Sequence, residues 1–449
     1  MRRTGSVRMN ILFVSLGCDK NLADTELMME LLREKGYTFT DDEARADIVV
    51  VNTCCFIGDA KEESINTLLE FGRLKKEGRL QVLAAAGCLA QRYREEIRRE
   101  IPEVDVLVGT TAMDEIVSAV ENALENRRTD HFRELDRPPV VSRRRVITTG
   151  GHFAYLKIAE GCNKRCSYCI IPRVRGSYRS VPMEQLVSQA EYLAENGVKE
   201  LILAAQETTL YGVDLYGKKM LPQLLGRLAR VEGIRWIRLL YCYPEEITEE
   251  LIQVIASEPK VCHYLDIPIQ HASDGVLRRM GRRTNKEELR LQIGRLRERI
   301  PDICLRTTLI SGFPGETQED FEELYRFVNE MEFDRLGVFT YSQEEDTPAA
   351  QMPDQIPEAV KEERRDELME LQQAIAFEKA EEMKGRILTV MIEGRTEEDV
   401  YVARSYRDAP NVDGYLFLKT ERQLMTGDFV KVRVIDSNEY DLVGEVYHE

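Results

Sequence analysis

No apolar run in the 449 residues approaches the ~18 that a membrane-spanning helix needs. A bilayer-threaded protein is thereby excluded, and a soluble, cytoplasmic chain is expected. Positive charge is in short supply as well: 62 Lys and Arg stand against 79 Asp and Glu, a net charge of −17. General nucleic-acid binding relies on Lys and Arg neutralising phosphates, so that class is disfavoured and a cationic partner suits the chain better. Repeats of solenoid period and low-complexity tracts are absent too, which sets aside repeat architectures.

What the chain has is length for about three domains, 43% hydrophobic residues to fill their cores, and ten cysteines. Its opening segment NILFVSLGCDKNLADTE follows Arg2, Arg3 and Arg8. Cys18 therefore has three readings: a lipid anchor behind a signal peptide, a core thiol, or a ligand. Ile11 to Gly17 only reaches the ~7-residue lower bound for the apolar part of a signal peptide and resembles a strand as much. The anchor is the weakest of the three. In a large chain without a convincing export signal, ten cysteines point to metal or redox chemistry rather than to a disulfide framework.

Residues 1–128 alternate short apolar runs with amphipathic charged stretches. NILFVSLG, ADIVVVNT and RLQVLAAAG read as buried strands; TELMMELLREKG, KEESINTLLEFGRLKKEG and AMDEIVSAVENALEN read as helices. The alternation predicts a parallel, doubly wound sheet. Residues 129–150, charged and carrying two prolines, read as a linker, and the basic triplet Arg143, Arg144 and Arg145 in it as solvated. From 151 the alternation resumes with YLKIAEG, ELILAAQ, WIRLLYC, YLDIPIQ, CLRTTLISG and RLGVFTYS. Six strands separated by helical stretches predict a barrel-like parallel sheet, full or partial. With the charged amphipathic helix that follows as a connector, this domain runs over 151–380. Residues 384–449 then change to short alternating runs with turns between them, the pattern of a small antiparallel barrel of about five strands.

Three strands of the first domain end in cysteine: Cys18, Cys54 and Cys88. Ligands of open α/β sheets collect beyond the carboxyl ends of the strands. A lone cysteine at such a place is usually a small buried apolar residue, but threefold repetition favours metal or cluster ligands. Cys55 would point the other way if its strand continued. A second set, Cys162, Cys166 and Cys169, sits within EGCNKRCSYCIIP. Structural zinc closes with four ligands, and no histidine lies nearby after His152; soft thiolates in a compact loop suit an iron-sulfur cluster. Three ligands on a cubane of four irons leave one iron open for chemistry.

With Tyr168 between the last two cysteines, this spacing resembles the signature of the radical S-adenosylmethionine (SAM) superfamily. The resemblance implies a partial (β/α) barrel whose three thiolates hold a 4Fe-4S cluster, with SAM chelated to the open iron and Tyr168 near the adenine. GCDKNLADTE, NTCCFI, AAGCLAQRY, EGCNKRCSYCIIPRVRGSYRS, AAQETTLYG, DIPIQHASDGVLRRMGR and ISGFPGET extend the likeness to the methylthiotransferases over essentially the whole chain. That family implies a second 4Fe-4S cluster on Cys18, Cys54 and Cys88, a TRAM-like terminal barrel, one SAM for the methyl group and another for the radical, and an electron donor such as flavodoxin or ferredoxin.

Gln206, Glu207 and Thr208 follow one strand, and Arg306, Thr308 and Gly312 flank another strand's end, so these are candidate SAM or substrate contacts. Gly312 and Gly315 either admit the nucleoside or form an ordinary turn. Gln270 and His271 either face the site or are structural. Cys242, Cys262 and Cys304 are expected in the core. Two branches of the family differ in target: one modifies an adenosine of transfer RNA, the other the β-carbon of an aspartate in the twelfth protein of the small ribosomal subunit. From Lys384 onward nine Lys or Arg stand against thirteen Asp or Glu, a net of −4. An RNA grip should be basic, so the acidic barrel and the word APNVDGYLFL, with Asp413 and Gly414, favour the basic ribosomal protein over transfer RNA.

Overall fold

The computed structural model describes residues 9–397, 399–438 and 440–448; Arg2, Arg3 and Arg8 lie outside the described residues. Among these, no helix is long and apolar enough to cross a membrane. Six strands, β1 (Asn10–Ser15), β2 (Thr38–Phe39), β3 (Ile48–Thr53), β4 (Val82–Gly87), β5 (Val106–Val108) and β6 (Thr129–His131), form an all-parallel sheet in the order β2-β1-β3-β4-β5-β6. Every residue of β3 and β4 is buried, as central strands covered on both faces must be. Alternation divides their side chains. Ile48, Val50, Val82 and Ala84 join Met28 and Leu32 of α1 (Asp19–Glu34) on one face. Val49, Val51, Leu83 and Ala85 join Leu68 and Phe71 of α2 (Gly58–Lys76) on the other. The strand order turns back between β1 and β3, so the sheet's switch point lies beyond the ends of these two strands.

Strands β2, β5 and β6, of two or three residues, are too short to carry a period, and β6 lies within the stretch expected as linker. Helices α3 (Cys88–Arg92), α4 (Arg94–Glu100) and α5 (Ile116–Leu124) complete the domain. The basic triplet departs from expectation. Arg143 and Arg144 are exposed, but Arg145 is buried and its guanidinium lies 3.3 Å from the buried Glu26 carboxylate. Thr148 donates to the same carboxylate through its backbone N–H and hydroxyl, at 2.8 and 2.9 Å. The segment is stitched to α1, because an acid buried in α1 needs a cation that the sheet does not supply.

In the central domain β7 (Phe153–Lys157) leads into a short ladder of β8 (Ala159–Glu160) and β9 (Arg179–Ser180), with α6 (Ile171–Arg175) between the two. Strands β10 (Glu200–Ala204), β11 (Trp236–Leu239), β12 (Val261–Asp266), β13 (Cys304–Ser311) and β14 (Arg335–Thr340) follow β7 in an open parallel sheet whose spatial order is the chain order. All six expected strands are present, and the sheet is the partial barrel. The helix Glu358–Glu381, expected as a connector, packs along this sheet with Arg364, Leu368 and Gln372 buried. Five strands, β15 (Ile387–Glu397), β16 (Val400–Ser405), β17 (Leu416–Lys419), β18 (Phe429–Asn438) and β19 (Asp441–Val446), close the terminal barrel. It is antiparallel except for the parallel pair β17–β19.

One face of the central sheet, including Leu156, Leu203, Leu239 and Leu305, packs into the main core with the surrounding helices. The other face carries Tyr155, Trp236, Tyr264 and Cys304, which cluster with Met391 and Ala409 of the terminal barrel. Trp236 meets Phe429 edge-on at 4.8 Å. Glu200 accepts from Arg238 at 2.7 Å and from Arg404 at 2.8 Å, all three fully buried. Glu200, Trp236 and Cys304 are the first residues of their strands, so the terminal barrel sits over the amino-terminal part of the inner face and reaches Tyr264 midway along β12. The carboxyl ends are left to the first domain. Cys242, Cys262 and Cys304 are buried, as expected.

Candidate active site

At the first sheet's carboxyl edge the chain makes two glycine turns. Gly17 has φ +84° and Gly87 φ +91°, a region that residues with a Cβ rarely enter. A Cβ on Gly17 would stand 2.6 Å from the Cys54 sulfur, and one on Gly87 2.3 Å from Asn52 Oδ1. Close approach of the three strand ends thus depends on glycine directly before Cys18 and Cys88. Cys18 caps α1, Cys88 opens α3, and Cys54 is held between them by Ser64, whose hydroxyl contacts both its N–H and its C=O at 2.9 Å. Asn21 laces the edge together, donating to Leu16 O at 2.8 Å and Thr53 O at 3.1 Å. Burial, and then the neighbouring Cys88, push the Cys54 thiol up to about 12. A bound cation is what deprotonates such a thiol. Cys55 turns away into the layer that holds Leu68 and Phe71.

The second triad occupies one loop. Cys162 follows β8, and Cys166 and Cys169 precede α6. Gly161, at φ +77°, passes so near Ser177 O that a Cβ would lie 2.0 Å from it. The loop is braced from outside by Ser167, whose N–H donates to Met280 O at 2.9 Å and whose hydroxyl donates to Arg279 O at 2.8 Å. Tyr168 is half-buried and packs edge-on to Phe313 at 6.4 Å. The Arg282 guanidinium lies 4.1 Å above the Tyr243 ring, whose hydroxyl is 3.7 Å from the Cys166 sulfur. Among the described residues no three His, Cys, Asp or Glu side chains converge closely enough to ligate one metal ion. A cubane ligated at three separate corners needs its thiolates further apart than a single ion does.

The two triads share a wall. Arg175, 1% exposed at the end of α6, donates from Nε to the Cys88 sulfur at 3.3 Å and from Nη1 to Asp24 at 2.7 Å and Glu160 at 3.0 Å. Glu160, two residues before Cys162, also accepts from Lys157 and from Gln206, each at 2.9 Å. Burial opposes its charge, but Arg175 and then Lys157 outweigh it and hold the carboxyl well below the usual range. A second bridge is Tyr241, a non-glycine residue at φ +59°. Its hydroxyl donates to Asp19 at 3.2 Å, and Lys20 sits over its ring. Strained backbone of this kind gathers at functional sites.

The other sequence candidates divide. Gln206 and Glu207 line this wall: Gln206 Oε1 and Glu207 Oε2 are buried without a hydrogen-bond partner, as are Nε and Nη1 of Arg282. Burial pushes the Glu207 carboxyl up to about 7. Thr208 spends its hydroxyl on Leu240 O at 2.5 Å and its N–H on Tyr241 O, which ties β10 to β11. Arg306 spans Asp266 and Asp413, both at 3.3 Å, and so reaches the terminal barrel. Thr308 is half-buried and its carbonyl receives the Gln270 N–H at 2.9 Å. Gly312 is approached by Lys361, whose Cγ would stand 2.2 Å from an added Cβ, so its bareness serves the packing of the long helix. His271 accepts from Ser273 N at 2.9 Å through Nδ1, while its Nε2 is buried without a hydrogen-bond partner, 3.7 Å from Glu316, and Gly315 turns beside Arg279. Asn21, Asp24, Lys157, Glu160, Arg175 and Tyr241 were not singled out from the sequence. Asn21 and Asp24 entered only through the word GCDKNLADTE, Glu160 and Arg175 through EGCNKRCSYCIIPRVRGSYRS, and Lys157 and Tyr241 through the expected strands YLKIAEG and WIRLLYC, none of which assigns them a role.

Compared with known proteins, residues 10–109 match the uncharacterized protein family UPF0004, 156–328 the radical SAM superfamily and 385–446 the TRAM domain. The chain is 62% identical to the ribosomal protein uS12 methylthiotransferase RimO of Lachnoclostridium phytofermentans, over 97% of this chain and 99% of that one. The chain belongs to the RimO family. RimO proteins of Clostridioides difficile and Acetivibrio thermocellus are 48% and 49% identical over 98% and 97% of this chain, and 99% and 98% of theirs. Among solved structures the fold resembles the radical SAM methyltransferase TsrM of Kitasatospora setae, with TM-score 0.55 and 14% identity over 90% of this chain and 82% of that one. It also resembles the cobalamin-dependent radical SAM enzyme OxsB, with TM-score 0.53 and 15% identity over 82% of this chain and 56% of that one. These two likenesses concern the fold alone. In this chain, cysteines mark the switch point of the first sheet.

Proposed function

We propose that the chain is a cytoplasmic radical SAM methylthiotransferase that places a methylthio group on the β-carbon of an aspartate in uS12. Cys162, Cys166 and Cys169 would hold one 4Fe-4S cluster and Cys18, Cys54 and Cys88 a second. Both triads consist of soft thiolates only, and the unpartnered atoms of Gln206, Glu207 and Arg282 beside the loop triad suit a polar ligand such as SAM. When bound, these groups supply a carbon radical for an unactivated C–H bond and a sulfur for the product, with electrons from a donor such as flavodoxin or ferredoxin.

The chain's own residues do the positioning. Arg175 donates to Cys88 while anchored by Asp24 and Glu160, so a movement of one triad is felt by the other. Closing the space between the domains excludes water, which protects a reactive intermediate. The observation that carries the reading is this shared wall, where residues from both domains meet between two three-thiol sets. The terminal barrel supports the protein target over transfer RNA: its Arg404 is committed to Glu200, Arg407 to Asp334 and Lys384 to Glu381 and Asp436. With nine Lys or Arg against thirteen Asp or Glu from Lys384 onward, the barrel as a whole is a poor match for phosphate.

The test is anaerobic reconstitution followed by mass spectrometry. About eight irons per chain, reductive cleavage of SAM, and a methylthio mass gain on uS12 are expected. A gain on transfer RNA, with uS12 unmodified, would overturn the choice of target.

A further inference from the structure

Lys20 is 6% exposed. A lysine so deeply buried is almost always paired, and most cations around the two triads keep that rule: Lys157 pairs with Asp24 and Glu160, Lys164 with Glu245 and Glu246, Arg175 with Asp24 and Glu160, and Arg306 with Asp266 and Asp413, while Arg282, over Tyr243 beside the loop triad, is an exception. Lys20 does not. Its ammonium lies 3.5 Å from the centre of the Tyr241 ring and makes no hydrogen bond or ion pair among the described residues. The neighbouring carboxylate that might have neutralised it, Asp19, is engaged by the Tyr241 hydroxyl instead.

Placement says what the charge is for. Lys20 stands in the first turn of α1, two residues beyond Cys18, where backbone N–H groups also favour an anion. Tyr241 and Tyr155 of the central domain both reach Asp19 at this helix end, so the ammonium sits at the seam where the two domains meet. SAM's own carboxylate would be held at the loop triad, beside Gln206, Glu207 and Arg282. The anion due beside Cys18 is the one that arrives with the target. Resting on the uS12 reading, we infer that Lys20 is the specificity-determining contact for the side-chain carboxylate of the target aspartate, holding it by charge so that the adjoining β-carbon faces the space between the triads. Tyr241 supplies a surface that stabilises the ammonium before the substrate enters and keeps it extended toward the seam.

The holoenzyme tests this with uS12 and with uS12 in which the target aspartate is replaced by asparagine, a neutral side chain of nearly the same shape. Equilibrium binding is measured by anisotropy, with iron determined on each sample. Wild type should prefer the aspartate form by about tenfold or more. Lys20→Met, which keeps the stem over Tyr241, should bind the aspartate form as weakly as the asparagine form, with asparagine binding unaltered; Lys20→Arg should restore most of the preference. Equal affinity of wild type for the two forms, equal weakening of both by Lys20→Met, or loss of iron from that variant would each overturn the assignment. A wild-type holoenzyme that modifies uS12 while Lys20→Met discriminates as well refutes the lysine alone. One that neither binds nor modifies uS12 refutes the substrate reading itself.

Discussion

The two cysteine triads are made in opposite ways. The loop triad comes from eight consecutive residues, Cys162 to Cys169, and its geometry is local: a positive-φ glycine at its start and braces from Met280 and Arg279 around it. The edge triad comes from three strand ends spread over seventy residues, and its geometry is that of a sheet. The first can be moved as a unit. The second exists only when β1, β3 and β4 are in register. A site that must face a mobile substrate thus joins one compact module to one that reports the folding of an entire domain.

The sharpest way to break that comparison is to remove one thiol from each triad. Cys166→Ala should cost about four irons per chain and abolish reductive SAM cleavage, because on the proposed assignment the loop triad would hold the cluster that SAM joins. Cys88→Ala should cost a similar amount of iron and abolish methylthio transfer. Iron analysis and quantitation of 5′-deoxyadenosine and of modified uS12 separate the two. If either variant kept full iron and full methylthio transfer, the ligand role of that cysteine would be lost.

How far each triad was legible follows from the same contrast. The loop triad announces itself because its ligands are close in sequence, and spacing is something a sequence displays directly. Cys18, Cys54 and Cys88 could be joined only through topology, by noting that all three follow buried strands and that such strands end at one edge; Gly17 and Gly87, the residues that make the turns possible, passed as ordinary glycines. The wall between the triads was not legible. Asp24, Glu160 and Arg175 are separated by up to 151 positions, and nothing in periodicity or charge pattern pairs residues at that range. Arg145 misled for a related reason: a basic run reads as solvated until a buried acid on another element, here Glu26, is known. The inner face of the central sheet misled less, since Cys304 reads as core and is core and Trp236 and Tyr264 lie on expected strands, although the surface that covers them belongs to another domain.

Arg175 is where the two constructions touch, and its removal is the next largest effect. Arg175→Met leaves Asp24 and Glu160 buried with only Lys157 for company, and losing one partner of a buried charge network costs about 3–5 kcal/mol. Denaturant unfolding of the variant should show it as a lower midpoint with little change in slope. Adding Asp24→Asn to Arg175→Met should recover part of the loss, because one stranded charge is then gone, and a double-mutant cycle gives the coupling across the two domains directly. Strict additivity of the two substitutions would mean that the ion pair does not join the domains.

The smallest effect compares the two carboxylates of the wall. Glu160 and Glu207 are both buried, yet cations hold the first well below the usual range while burial pushes the second up to about 7. Between the ordinary carboxyl value of 4.5 and that raised value, Glu207 keeps its proton in the folded chain where the unfolded chain has released it. The folded state then binds more protons, so Glu207 makes stability fall as pH rises through this window, with its contribution complete below the window and gone above it. Glu160 runs the other way: its contribution is present above the ordinary value and is lost as pH falls through its lowered one. Glu207→Gln removes the first effect and leaves the second. On metal-free chain the stability difference between variant and wild type should therefore move in favour of the variant by about 3 kcal/mol from pH 4.5 to 7.5. A difference that stays flat across that range would show that Lys164, 4.0 Å from Glu207, already holds the carboxylate ionised, and the two acids of the wall would then be alike.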